Sequence, residues 1–309
     1  MKKIRTVYDH IKSNNIKTAI LVAAFPLLFI AIVFLFVWMA APLQSALETT
    51  AMVAVPTIGA CLVWLAVSWA FGDSMMLSFA GAREIRADEK EYREIFRNVE
   101  NVALAAGLPS PRVYVIEDES LNAFATGRTP KDASIALTRG IIKKLDKLEL
   151  EGVIAHEMSH IGNRDIRLDM LLITGVGVTV FASDIILRMA LRGGHNSNND
   201  KNNSGAILLM VWLAFIVFNW IISPLLRMAI SRKREFAADA TGAQITRNPR
   251  ALASALRKIS ADSRVECLDK VKSMSAMCIA NPGDMKEFAS NLLATHPPVS
   301  ERIKRLESM

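Results

Sequence analysis

Apolar residues are distributed unevenly along this chain of 309 residues. Four stretches approach or exceed the ~20 residues needed to cross a ~30 Å hydrocarbon core. Residues 18–41 and 51–71 carry no charged side chain. Residues 171–191 contain Asp184 and Arg188, and residues 206–228 stay uncharged until Arg227 and hold Trp212 and Trp220. A lone acid near a bilayer centre costs about 2.5–3.5 kcal/mol. Asp184 lies toward one end of its stretch, and Arg188, four positions on, shares its helix face and can pair with it. The pattern predicts four transmembrane helices. The first is longer than the 7–15 residues of a signal-peptide core, and Trp38 and Met39 stand where small residues would mark cleavage, so it reads as an uncleaved anchor.

The polar remainder falls into two blocks. The first opens with a charged helical stretch over 88–106, ended by Gly107 and Pro109. Three strand-like runs follow, Arg112–Ile116, Ala123–Thr126 and 134–137, and predict a small sheet. A helix over about 148–161 comes next, and the second block reads as helices. The chain thus divides into an amino-terminal anchor (1–82), a first catalytic block (83–167), a transmembrane hairpin (168–228) with a polar loop at 192–205, and a second catalytic block (229–309). The fold class expected is a mainly α integral membrane protein, with a small β-sheet beside the helix at 148–161.

Charge sets the orientation. The leader holds Lys2, Lys3, Arg5, Lys12 and Lys17, whereas residues 42–50 hold no Lys or Arg. Basic segments stay on the cytoplasmic side, so the amino terminus and residues 83–167 are expected in the cytoplasm. The net charge of +7 follows from span-flanking residues such as Arg83, Arg86, Arg227, Arg232, Lys233 and Arg234, and calls for no nucleic-acid partner. Cys61, Cys267 and Cys278 form no CxxC, and the last two suit a reducing compartment.

The chemistry is concentrated in His156-Glu157-Met158-Ser159-His160, an H-E-x-x-H. On a helix, positions i and i+4 share a face, so both imidazoles can bind one zinc ion while Glu157 takes a proton from activated water. A catalytic zinc needs a third protein ligand and an open position. Glu235-Phe236-Ala237-Ala238-Asp239 offers one: Glu235 as ligand, with Asp239 one turn later as the hydrogen-bond partner of a ligating histidine. Alone, Glu235 would read as a solvated helix face among Arg232, Lys233 and Arg234. Because the H-E-x-x-H precedes the third span and Glu235 follows the fourth, the two spans must both cross or both not cross.

With these residues placed, the sequence resembles the HtpX-type membrane zinc metallopeptidases, H-E-x-x-H gluzincins related to the CAAX prenyl endopeptidases. The resemblance covers nearly the whole length. Ser231-Arg232-Lys233-Arg234-Glu235-Phe236-Ala237-Ala238-Asp239 matches the family's S-R-x-x-E-x-x-A-D, and Asn122-Ala123-Phe124-Ala125-Thr126-Gly127 its N-A-F-A-x-G strand. His296-Pro297-Pro298 followed by Arg302-Ile303 resembles its closing H-P-x-x-x-R-I element, with a second proline and a different spacing. The resemblance implies a zincin-like catalytic domain with one Zn²⁺ per chain. It also implies a bacterial inner-membrane endopeptidase in stress response and quality control, acting on misfolded membrane proteins or unfolded polypeptides, with a tendency to self-cleave. His296 is then a candidate donor to the tetrahedral intermediate. Asn122, Ala123, Phe124 and Ala125 are candidates to hold an extended substrate by strand addition.

Three rivals are weaker. A structural-zinc adaptor would use four Cys or His ligands and have no need of Glu157. A transporter would rest on Asp184, one acid with one arginine. A CAAX-type prenyl-peptide protease would need more spans to enclose a chamber.

Overall fold

The computed structural model describes residues 43–193, 232–261 and 298–309, together with residues 209 and 211–218 and scattered helical positions between 15 and 38. A long helix, α1 (Leu43–Phe79), follows these positions. It includes residues 43–50, expected above as the connection between two spans. Leu-Gln-Ser-Ala-Leu-Glu contains no glycine or proline to stop a helix, and Pro42 suits a helix start, where its missing N–H is not needed.

At 1.5 Å per residue the 37 residues of α1 extend about 55 Å, well beyond a ~30 Å hydrocarbon core. Its two ends behave differently. Toward the start, apolar side chains face outward: Met52 is 80% exposed and Val55 76%. Toward the end, Met76 and Leu77 are buried, with Ala80, against Tyr114, Phe124 and Met170. Between these regions lies a polar belt. The Arg167 guanidinium sits 4.4 Å over the Trp69 ring, Arg128 donates to the Trp69 carbonyl at 3.5 Å, and Arg112 pairs with Asp73 at 2.7 Å.

Among the described residues, Cys61–Phe79 is the one stretch long and apolar enough to cross a membrane. Four crossings are therefore not established. The first and fourth predicted spans fall only partly within the described residues. The third lies inside a continuous helix, α5 (Asp165–Gly193), where Arg188 and Asp184 pair at 2.7 Å.

After α1 the chain forms β1 (Ala82–Glu84), α2 (Arg93–Ala106), β2 (Arg112–Ile116), β3 (Ala123–Thr126), β4 (Ser134–Thr138), α3 (Arg139–Lys144) and α4 (Lys147–Gly162). Beyond α5 come α6 (Arg232–Thr246), α7 (Pro249–Ala261) and α8 (Val299–Glu307). Helix α2 starts five residues later than its charge pattern suggests, because 88–92 form turns. It ends as expected on Gly107 in the left-handed region, φ 66°, which glycine adopts without steric cost.

The sheet has the order β1-β2-β4-β3, with β2 and β4 parallel and both outer pairs antiparallel. Alternation along β2 sends Val113 and Val115 to one face and Tyr114 and Ile116 to the other. The first face packs on Val153, Ile154 and Met158 of α4 and on Leu252 of α7. The second packs on α1 and on Met170 and Leu171 of α5. Strand β1 escaped the sequence pattern because three residues, Ala-Arg-Glu, are too few to show a period.

Candidate active site

Helix α4 is well specified at its start. The Asp146 carboxylate accepts from the Glu149 N–H at 2.9 Å, and Glu149 accepts from the Asp146 N–H at 2.9 Å, a reciprocal cap that satisfies two otherwise unpaired donors. Glu149 also anchors α7, through Lys258 at 2.6 Å and Ser254 at 2.7 Å. Three turns on, His156 and His160 project together, their ring centroids 4.8 Å apart.

Helix α6 approaches α4 closely at Gly242, where a Cβ would lie 3.0 Å from the His156 backbone nitrogen. A side chain there would press on the α4 backbone. Glu235 lies seven residues earlier, two turns away on the same face, and this contact brings it to the histidines. Its Oε2 is 3.7 Å from His156 Nε2, its Oε1 is 3.6 Å from His160 Nε2, and the two Nε2 atoms are 3.3 Å apart. His156 and Glu235 are each 2% exposed.

These distances suit a metal ion. A tetrahedral ion bonded at ~2.0–2.1 Å sets its ligand atoms about 3.4 Å apart. The donor chemistry agrees. His156 Nδ1 lies 3.0 Å from Asp239 Oδ1, and His160 Nδ1 lies 2.8 Å from Asp165 Oδ2. A carboxylate at Nδ1 selects the tautomer that keeps its proton there and leaves a lone pair on Nε2. Two such lone pairs and a carboxylate then face one another in a buried space, an arrangement that a cation relieves.

Each carboxylate at a histidine is in turn met by a buried arginine. Arg302 of α8, 0% exposed, grips Asp239 with two hydrogen bonds of 2.8 and 2.7 Å, and its Nη1 lies 3.7 Å from Glu235 Oε2. Arg234 reaches Asp165 at 3.6 Å and Asp169 at 2.9 Å. Burial alone would raise the Asp239 carboxyl, but the Arg302 hydrogen bonds and charge outweigh it and hold Asp239 down at about 2. Burial lowers His156. Burial also opposes charge on His160, yet its hydrogen bond to Asp165 and the Glu235 charge raise it to about 9 in the metal-free site.

Glu157 is 5% exposed. Burial, reinforced by the Glu235 charge and opposed by His160, pushes it up to about 7, a value suited to moving a proton near neutral pH. The Ala125 backbone amide hydrogen-bonds its carboxylate. Strand β3 is an outer strand with β4 on one side only. The Thr138 N–H to Asn122 carbonyl bond of 3.0 Å puts Asn122, Phe124 and Thr126 on the β4 side by antiparallel alternation. Ala123 and Ala125 therefore direct their backbone groups to the free edge, and that edge borders Glu157. Asn122 itself is 2% exposed, and its Oδ1 accepts from the Ala123 N–H at 2.8 Å, so its side chain occupies one edge donor. Phe124 points to the opposite sheet face, among α1 and α5. His296 lies outside the described residues.

The arrangement defines the catalytic class: a peptidase site of the H-E-x-x-H type, with an acidic side chain from a separate helix placed where it could be a third metal ligand. Comparison with known proteins agrees. Residues 89–309 match peptidase family M48, and the chain belongs to that family. Over 313 residues it is 40% identical to a Protease HtpX homolog of Bacteroides fragilis, covering 95% of this chain and 96% of the relative. A Protease HtpX homolog of Thermoanaerobacter pseudethanolicus is 40% identical over 307 residues, covering 99% of this chain and 98% of the relative. One from Listeria monocytogenes is 38% identical over 315 residues, with 98% and 100% covered. A crystal structure of S. mikatae Ste24p aligns with a TM-score of 0.47 at 17% identity, over 97% of this chain and 66% of that one. The chain is a metallopeptidase.

Proposed function

We propose that this protein is a zinc-dependent endopeptidase of the bacterial inner membrane, with its active site on the cytoplasmic side and misfolded membrane proteins or unfolded polypeptides as substrates. The observation that carries the reading is the convergence of His156 Nε2, His160 Nε2 and the Glu235 carboxylate, all within 4.8 Å of one another, beside the buried Glu157. Two imidazoles and one carboxylate form a common catalytic zinc set. When bound, zinc supplies a Lewis acid that polarises the scissile carbonyl and makes water nucleophilic near neutral pH. Glu157 takes the proton of the attacking water and delivers it to the leaving amine. Asp239 holds the His156 imidazole in register. The free edge of β3 receives an extended peptide by backbone pairing at the Ala123 and Ala125 carbonyls and at the Ala123 N–H, which the Asn122 side chain releases as the peptide arrives. His296 supplies a donor to the oxyanion.

The cytoplasmic assignment rests on the basic residues that flank the spans. The membrane assignment is supported by α1, whose stretch Cys61–Phe79 is long and apolar enough to cross a bilayer and is mostly unburied.

The test is metal content and casein cleavage by the detergent-solubilised protein, beside Glu157→Gln and Glu235→Ala. The expected result is about one zinc per chain, cleavage lowered at least ~10²-fold in Glu157→Gln with zinc retained, and zinc lost in Glu235→Ala. Zinc-bound wild-type protein that cleaves no peptide would overturn the reading.

A further inference from the structure

Both candidate zinc-binding histidines have a carboxylate at Nδ1, but the two carboxylates belong to different parts of the molecule. Asp239 sits on α6, one turn after Glu235, so the ligand and its neighbour share a helix. Asp165 is the first residue of α5, the helix that contains the predicted third span. It reaches His160 because the connection is so short. Helix α4 ends at Gly162, only Asn163 and Arg164 intervene, and Arg164 takes the left-handed conformation, φ 58°. A non-glycine residue there is strained. The strain is tolerated in a turn that folds Asp165 back over the helix it has just left.

Asp165 is 0% exposed. Its Oδ2 meets His160 Nδ1 at 2.8 Å, and its Oδ1 faces Arg234 Nη1 at 3.6 Å. Arg234 is 6% exposed and is also held by Asp169, one turn further along α5, at 2.9 and 3.1 Å. The order His160, Asp165, Arg234, Asp169 therefore links α4, α5 and α6 through buried charged groups, with Arg234 adjacent to Glu235 in the chain. We propose that Asp165 is a positioning residue for the metal site: it fixes the tautomer and ring orientation of His160, and Arg234 holds it there from the helix that carries the third ligand. The proposal rests on the zinc reading above. It goes beyond that reading by making the start of the membrane-side helix α5 a determinant of metal affinity.

The experiment titrates metal-free wild-type protein, Asp165→Asn and the double variant Asp165→Asn/Arg234→Gln with Zn²⁺ against a competing chelator. The Tm of each chelated protein is measured in parallel. In Asp165→Asn, Arg234 keeps Asp169 as a partner; the double variant also takes the arginine from Asp169, and the Tm measured in parallel separates that cost from the metal affinity. The expected result is zinc affinity lowered about 10–100-fold in both variants, with kcat lowered at saturating zinc and KM little changed. Affinity within twofold of wild type would overturn the proposal, and so would a lower Tm with unchanged affinity, which would make Asp165 a structural residue only. Wild-type protein that takes up no zinc would instead overturn the zinc reading, so the two failures are distinguishable.

Discussion

Buried arginines set the electrostatics of the site. Arg302 and Asp239 form a two-bond pair with almost no solvent contact, and breaking one side of such a pair leaves a costly orphan charge. Because Asp239 is held at about 2, below its ordinary 3.8, it contributes stability that is complete above about pH 4 and is lost as pH falls through about 2. Asp239→Asn is therefore expected to destabilise the chelated protein by roughly 2 kcal/mol at pH 6. The difference from wild type should shrink toward zero near pH 2, as followed by denaturant unfolding across that range. A pH-independent difference would mean that the pair does not act through charge. At this scale Asp239 was legible because it stands four residues after Glu235, on the same helical face. Asp165 was not: five residues after His160 is off the helical period, and only the left-handed Arg164 brings it back. Arg302 stands in a recognisable motif, but 63 residues separate it from Asp239, and no local pattern reports a contact that distant.

Elements meet here through glycines as much as through apolar side chains. At Gly242 an added Cβ would lie 3.0 Å from the His156 nitrogen and 3.2 Å from its Cα. Those are backbone atoms of α4 and cannot swing aside. Gly242→Ala is expected to push α6 from α4, lower stability by about 1–3 kcal/mol, and weaken zinc binding because Glu235 moves with α6. Gly59→Ala, where a Cβ meets nothing within 4 Å, should leave stability equal or higher by the better helix propensity. Thermal melts with and without chelator, with a zinc titration, check both. Equal effects at the two positions would contradict the close-approach argument. Strands β2 and β3 follow the boundaries read from the sequence, since apolar runs between turn residues signal themselves. Strand β1, and the pairing order that makes β3 an outer strand, depend on partners distant in the chain and carry no local signal.

For the whole molecule, the sheet is the partition between two environments. One face packs on α4 and α7, which carry or brace the H-E-x-x-H, and the other packs on α1 and α5. Hydropathy correctly marked the apolar character of α1 but not its division of labour, because Met76 and Leu77 are as apolar as Met52 and Val55; burial against Phe124 rather than composition distinguishes them. The belt at Trp69, Arg128 and Arg167 lies between these two regions. With α1 in a bilayer, that end of the helix becomes a wedge beneath the outer strand β3. Hydrophobic mismatch is relieved chiefly by tilting a helix, and tilting α1 would rock Met76 and Leu77 under Phe124, which stands between Ala123 and Ala125, the residues whose backbone groups face the free edge. Turnover in vesicles of short-, medium- and long-chain phosphatidylcholine should then vary several-fold while bound zinc stays constant, and a flat profile would uncouple the helix from the strand. A protease built this way takes the thickness of its own membrane as an input, so a change in lipid composition would retune proteolysis without any change in the amount of enzyme.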